Sequence, residues 1–205
     1  MAESNFLSSE NCAYLVNEIF IDYAQIEGVA LVLGLFLFSI QIYCDFSGYS
    51  DVAIGTAKLF GFKLKTNFRY PYFANGISDF WKRWHISLST WFRDYVYIPL
   101  GGSKKGVFKH VRNVFVVFLV SGFWHGANLT YIFWGAGHAL LFLPSLFLNK
   151  TGFYLRNKNK NVVIFFKSLM TFMSVSFLWV FFRSNNLESA FEYIENASVL
   201  SIQSF

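Results

Sequence analysis

Long apolar runs alternate with basic or polar stretches along this chain. Four runs stand out, over 28–44, 113–126, 127–148 and 161–182. A helix that crosses a bilayer needs about 20 mostly apolar residues. The third and fourth runs reach that length, although Lys167 interrupts the fourth. The first and second are slightly short. The second is apolar from Val114 onward and runs straight into the third. Together they predict two tight crossings turning near Trp124–Asn128, or a re-entrant pair. The pattern therefore predicts an all-α, polytopic membrane protein, with one domain over 1–205 and about four spanning or re-entrant segments.

Two further stretches have helical periodicity without spanning length. In 79–95, Trp81, Trp84, Leu88, Trp91, Phe92 and Tyr95 share one side at 3.6 residues per turn. Lys82, Arg83, Ser89, Thr90, Arg93 and Asp94 take the other side. This predicts an amphipathic helix in the membrane interface, with Asp79 able to cap its start. The stretch 184–196 predicts a second amphipathic helix. There Asn185 is the expected cap, Glu188 its partner, and Leu187, Ala190, Phe191 and Ile194 the apolar stripe.

Composition agrees with the pattern. Of 205 residues, 55% are apolar and 14% charged, against about 25% charged in a typical soluble domain. A content of 21% aromatic residues excludes disorder. Two cysteines at no telling spacing exclude a disulfide scaffold. Charge adds orientation. Residues 1–57 hold no Lys or Arg, and 58–205 hold all 17. These bases lie between apolar runs rather than along one polar face, which argues against nucleic acid and for a membrane. The positive-inside rule places 58–112 and 149–160 in the cytoplasm and the acidic N-terminus outside. No basic leader precedes an apolar core, so no signal peptide is expected.

Ionisable groups at membrane depth are expensive and usually functional. His125 lies in Ser121-Gly122-Phe123-Trp124-His125-Gly126, beside an indole and a Gly-x3-Gly pair that lets another backbone approach closely. The bland alternative is a hydrogen-bonded structural histidine. His138 lies midway along the third run, where a helix–helix hydrogen bond competes equally with a functional role. His85 lies at the edge of the 79–95 apolar face. His110, in a basic stretch, is expected to be solvated. No H-x3-H or C-x2-C pair occurs, so no metal site is expected. A neutral histidine acting as general base on a hydroxyl or thiol is the chemistry that remains. In the polar segment 41–51, Ser47 and Asp51 read best as helix caps, while Asp45 is either a cap or part of a polar cavity lining. The glycines of Ile98-Pro99-Leu100-Gly101-Gly102 predict a loop without Walker spacing.

Three blocks together resemble the membrane-bound O-acyltransferase (MBOAT) family. They are QIYCDFSGYSDVAIG (41–55), FWKRWHISLSTWFRDYVYIPLGG (80–102) and SGFWHGANLTYIFWGAGH (121–138). The branch resembled is the bacterial alginate O-acetyltransferase type; RWHISLS and RDY are shared with the D-alanyl transfer protein of teichoic acid modification. The resemblance implies a helical fold around a tunnel, with His125 as catalytic histidine and His85 as the second histidine of the site. Trp124, Asn128, His138 and Asp45 are the further candidates for lining such a tunnel. It implies an acyl thioester donor, such as acetyl-CoA, arriving from the cytoplasm as a substrate, with no bound cofactor. The acceptor would be an exported polysaccharide, reached with the help of a periplasmic or extracellular acyltransferase partner.

The expected protein is therefore an MBOAT-type O-acetyltransferase of the bacterial inner membrane, contacting lipid, donor and acceptor. D-alanyl transfer is the alternative within the family. A transporter or channel component, with histidine as proton relay, is the alternative outside it. Family members are longer than 205 residues, so the fold is expected to be partial, and an inactive fragment is a third reading.

Overall fold

The computed structural model describes residues 13–26, 28–148 and 160–199. Every regular element among them is helical. The chain divides into two compact units, one comprising Asn67–Leu178 and the other the segments before and after it.

The outer unit holds α1 (residues 13–21), α2 (Val29–Leu59) and α8 (Leu187–Ser198). α2 does not stop near Cys44, as the apolar run predicts, but continues through the polar segment. Small residues make this possible. Ser47 and Gly48 are buried, and the Ser47 hydroxyl donates back to the Cys44 carbonyl at 3.4 Å. Neither Asp45, Ser47 nor Asp51 caps a helix, because no helix ends there. The true end is at Gly61, whose φ of +81° fits a left-handed stop. The Gly61 N–H donates to Lys58 O, and the Phe62 N–H reaches back to Ala57 O.

α8 packs on α2 through Tyr193, whose hydroxyl donates to the Leu31 carbonyl at 2.8 Å. Gly34 makes the approach possible, since a Cβ there would meet Ile19 Cγ2 at 2.6 Å and the Tyr193 hydroxyl at 2.9 Å. The cap of α8 is Asn186, one residue beyond the expected Asn185. Its side chain accepts the Ser189 N–H at 2.8 Å, and Ser189 Oγ accepts the Asn186 N–H in return. Ser189, not Glu188, therefore stands at the reciprocal position of the capping box.

The inner unit holds α3 (Ile77–Trp81), α4 (Ile86–Phe92), a π turn (Arg93–Tyr97), α5 (Val107–His125), α6 (Leu129–Leu148) and most of α7 (Lys160–Arg183). α5 and α6 form an antiparallel hairpin. Asn128 starts α6, its side-chain oxygen accepting the Thr130 N–H at 3.1 Å. α5 is longer than the 113–126 run, taking in Lys109, His110 and Arg112 at its first turns. α2, α5, α6 and α7 are each long and apolar enough to cross a membrane.

The single amphipathic helix expected over 79–95 is corrected to α3, a break at 82–85, α4 and the π turn. The break has a clear cause. The segment Asn67–Arg69 lies against it and takes over its backbone pairing. Arg69 N–H donates to Arg83 O at 2.9 Å and Ile86 N–H to Asn67 O at 3.0 Å. His85, between them, takes φ +43°. One apolar face is therefore split in two. Trp84 and Phe92 are buried, whereas Trp91 and Tyr95 stay exposed.

Asn113 anchors the glycine loop to α5. It is fully buried and donates to Gly102 O at 3.0 Å and Leu100 O at 3.3 Å. Asn113→Ala would strand the Gly102 carbonyl and leave Leu100 O with only the long 3.4 Å bond from Arg112, at a cost of about 1–3 kcal/mol. Trypsin should then cut at Lys104 or Lys105 faster than in the parent protein; equal rates would show that the loop holds without Asn113.

Candidate functional site

The inner unit gathers three of its histidines around aromatic rings. His125 is the last residue of α5, since Gly126 turns extended and ends the helix. Its imidazole meets the Trp134 ring edge to face, with centroids 5.2 Å apart at 87°, and lies 4.9 Å from the Trp124 ring. Trp134 in turn meets His138 at 4.8 Å. His138 is fully buried, faced by Phe80 and Phe118 in near-parallel planes and by Trp81 at 80°. The helix break at Gly126 places His125 and His138 on two facing helices, joined by one indole.

His85 enters from the α3–α4 break. Its Nδ1 lies 3.3 Å from Asn67 Oδ1, and its ring tilts against Phe68. Phe68 leads on through Trp84 and Phe80 to the rings around His138 and His125. Nearby, Asp79 receives the Asn75 N–H and pairs with Arg83 at 2.9 Å. Burial works against its charge, but the bonds from Arg83 and Asn75 prevail and hold its carboxyl below the usual value.

Burial pushes His85 down to about 4, so it is a neutral imidazole at physiological pH. In an unfolded chain it would protonate near 6.5. The unfolded chain thus binds the extra proton between those values, and stability falls as pH drops through that window. His85→Gln should flatten the fall in thermal midpoint from pH 6.5 to 4 in detergent micelles. Parallel curves for parent and variant would contradict the buried, neutral state.

A cavity of about 490 Å³ opens within the same unit. Trp81, Phe118 and Phe142 supply apolar lining, and Lys82, Arg93 and His110 cationic or titratable groups. Its size is that of a small-molecule pocket. Trp81 and Phe118 belong both to this lining and to the rings around His138. His85, His125 and His138 do not line it themselves. His110, expected to be solvated, does, and its ring lies tilted against Tyr97 at 5.8 Å.

The other candidates fall elsewhere. Trp124 is exposed. Asn128 is exposed and serves as the start of α6. Asp45 is exposed on α2, in the outer unit. Among the described residues no three His, Cys, Asp or Glu side chains converge as a metal site would require. Asn67 and Ser87 were not foreseen at the site. Asn67 reaches His85 across 18 residues and Ser87 across 20, which no local periodicity reveals.

The family model for MBOAT, the membrane-bound O-acyltransferase family, matches residues 20–182. The chain belongs to the MBOAT family. It is 48% identical over 158 residues to "Probable alginate O-acetylase AlgI" of Pseudomonas putida, covering 77% of this chain and 31% of that relative. It is 43% identical over 159 residues to the peptidoglycan O-acetyltransferase of Helicobacter pylori, covering 77% and 29%. It is 36% identical over 147 residues to the teichoic acid D-alanyltransferase of Bacillus subtilis, covering 68% and 37%. This MBOAT chain thus spans about a third of the length of the relatives it matches. The helical, membrane-type fold read from its apolar runs agrees with that membership.

Proposed function

We propose that the chain carries the histidine site of a membrane O-acyltransferase that acetylates hydroxyls of an exported or cell-surface polysaccharide. The observation that carries this reading is one continuous run of aromatic rings that joins His125, at the end of α5, to His85, at the α3–α4 break. It passes through Trp134, His138, Phe80, Trp84 and Phe68. Two O-acetyltransferase-named relatives above 40% identity support the acyl chemistry.

In this mechanism His125 takes the proton of the acceptor hydroxyl as its oxygen attacks the thioester carbonyl. The carbon–sulfur bond then breaks, and the leaving thiolate takes that proton from the imidazolium. The donor is acetyl-CoA or another acyl thioester. Lys82 and Arg93 at the cavity suit the phosphates of such a donor. The setting is the bacterial cytoplasmic membrane, with the basic stretch 58–112 facing the cytoplasm. The polymer is reached outside, together with an extracytoplasmic acyltransferase partner. D-alanyl transfer is the second reading, supported by the Bacillus relative at 36%.

The test is transfer in vesicles containing the chain, with labelled acetyl-CoA inside and polysaccharide outside. Label in the polymer supports acetyl transfer. Label passing only from a D-alanyl thioester supports the second reading. Protons crossing the vesicle without acyl transfer would overturn both in favour of a channel or transporter component.

A further inference from the structure

We propose that Asn67 is a positioning residue that holds His85 in its Nδ1–H tautomer, placing the basic lone pair on Nε2. The inference deepens the site described above, and its catalytic consequence rests on His85 taking part in acyl transfer.

The tautomer follows from which groups can donate. Asn67 Oδ1 accepts the backbone N–H of Ser87 at 3.1 Å and the Ser87 hydroxyl at 2.9 Å. A backbone N–H only donates, so the amide atom facing it must be the oxygen. His85 Nδ1 lies 3.3 Å from that same oxygen. The oxygen has no proton to give, so Nδ1 must supply it. A neutral imidazole has one N–H and one lone pair, and the lone pair is then on Nε2. The Ser87 hydroxyl, 3.4 Å from Nδ1, has Asn67 as its nearer acceptor and leaves this assignment unchanged.

The backbone supports the same conclusion. Arg69 N–H to Arg83 O and Ile86 N–H to Asn67 O bracket the interaction on both sides. Of the two non-glycine residues with positive φ among those described, His85 lies within this pairing and Tyr70 directly after it. A left-handed backbone is unfavourable for a side chain with a Cβ, and such strain persists where surrounding contacts over-determine it. Here it turns the His85 ring onto Asn67. A proton accepted at Nε2 gives an imidazolium whose Nδ1–H still points at the amide oxygen. Asn67 thereby orients the ring and favours the charged form once it arises.

The chain has four histidines, which makes a spectroscopic test practical. In micelles containing the ¹⁵N-histidine-labelled chain, His85→Ala identifies the His85 signals. The parent should show Nδ1 protonated and Nε2 at the position of an unprotonated nitrogen. Asn67→Ala should give a tautomer mixture. Asn67→Asp, which keeps an acceptor oxygen, should restore Nδ1–H and also guards against misfolding of the alanine variant. A protonated Nε2 in the parent, or an unchanged tautomer in Asn67→Ala, overturns the proposal. In the transfer assay Asn67→Ala should lower kcat roughly 10–100-fold with little change in donor KM, as when outer groups orienting a functional histidine are lost. If His85→Ala still transfers at full rate, the role of His85 in acyl transfer fails, whereas the tautomer result judges Asn67 by itself.

Discussion

His125→Ala is expected to reduce transfer of labelled acetyl to polymer by about 10²–10⁴-fold, with the protein still inserted and helical. That range is what a positioned general base contributes, roughly 3–5 kcal/mol of barrier. His125 is suited to the role by position. It sits at the end of α5, its ring bounded by Trp124 and Trp134, with Gly126 ending the helix beside it. The variant removes the base but leaves α5, α6 and their small-residue contact intact. His138→Ala makes the contrast. That ring is wholly enclosed by Phe80, Trp81, Phe118 and Trp134, so its loss opens a hole and should lower thermal stability along with activity. Full transfer by His125→Ala would rule out His125 as the base. Loss of activity only in proportion to loss of folded protein would make it a structural histidine.

How much of the fold is legible in the sequence depends on the range of the interaction. Apolar runs of spanning length have a local cause, and α6 and α7 stand where the runs place them. His125 and Gly126 could be read locally too, because a glycine beside a histidine at the end of an apolar run marks a helix end. α2 defeated the local reading. Its polar residues from Cys44 to Ser50 look like a terminus, yet small size lets them stay within a packed helix. The 79–95 stretch defeated it in the opposite sense. Its helical periodicity is real, but Asn67–Arg69 competes for the backbone at 82–86, and a distant segment leaves no trace in a helical wheel. The His85–Asn67 pair was hidden for the same reason.

Gly135→Ala, a change that is ordinarily helix-stabilising, is expected to destabilise the inner unit by about 1–3 kcal/mol, and Gly135→Leu by more. A Cβ at Gly135 would press into the backbone carbonyl of Phe118, and one at Gly122 into that of Tyr131. Each four-residue step along α5 is thus matched by one back along α6, and the next step pairs Val114 with Ala139 in the buried cluster. The obstacle is main chain, so no rotamer change relieves it. The helices must separate, and close packing of small residues is a principal source of helix association in lipid. Separation would also pull Trp134 from His125 and Phe118 from His138, since each pair bridges the two helices. Gly55→Ala is the control. It lies on exposed α2 surface, where a Cβ meets nothing within 4 Å, and should be neutral or stabilising by up to about 1 kcal/mol. Thermal or denaturant unfolding in micelles, followed by helical signal and by tryptophan fluorescence, separates the two. Equal midpoints for Gly135→Ala and Gly55→Ala would mean that the α5–α6 approach does not hold the site together.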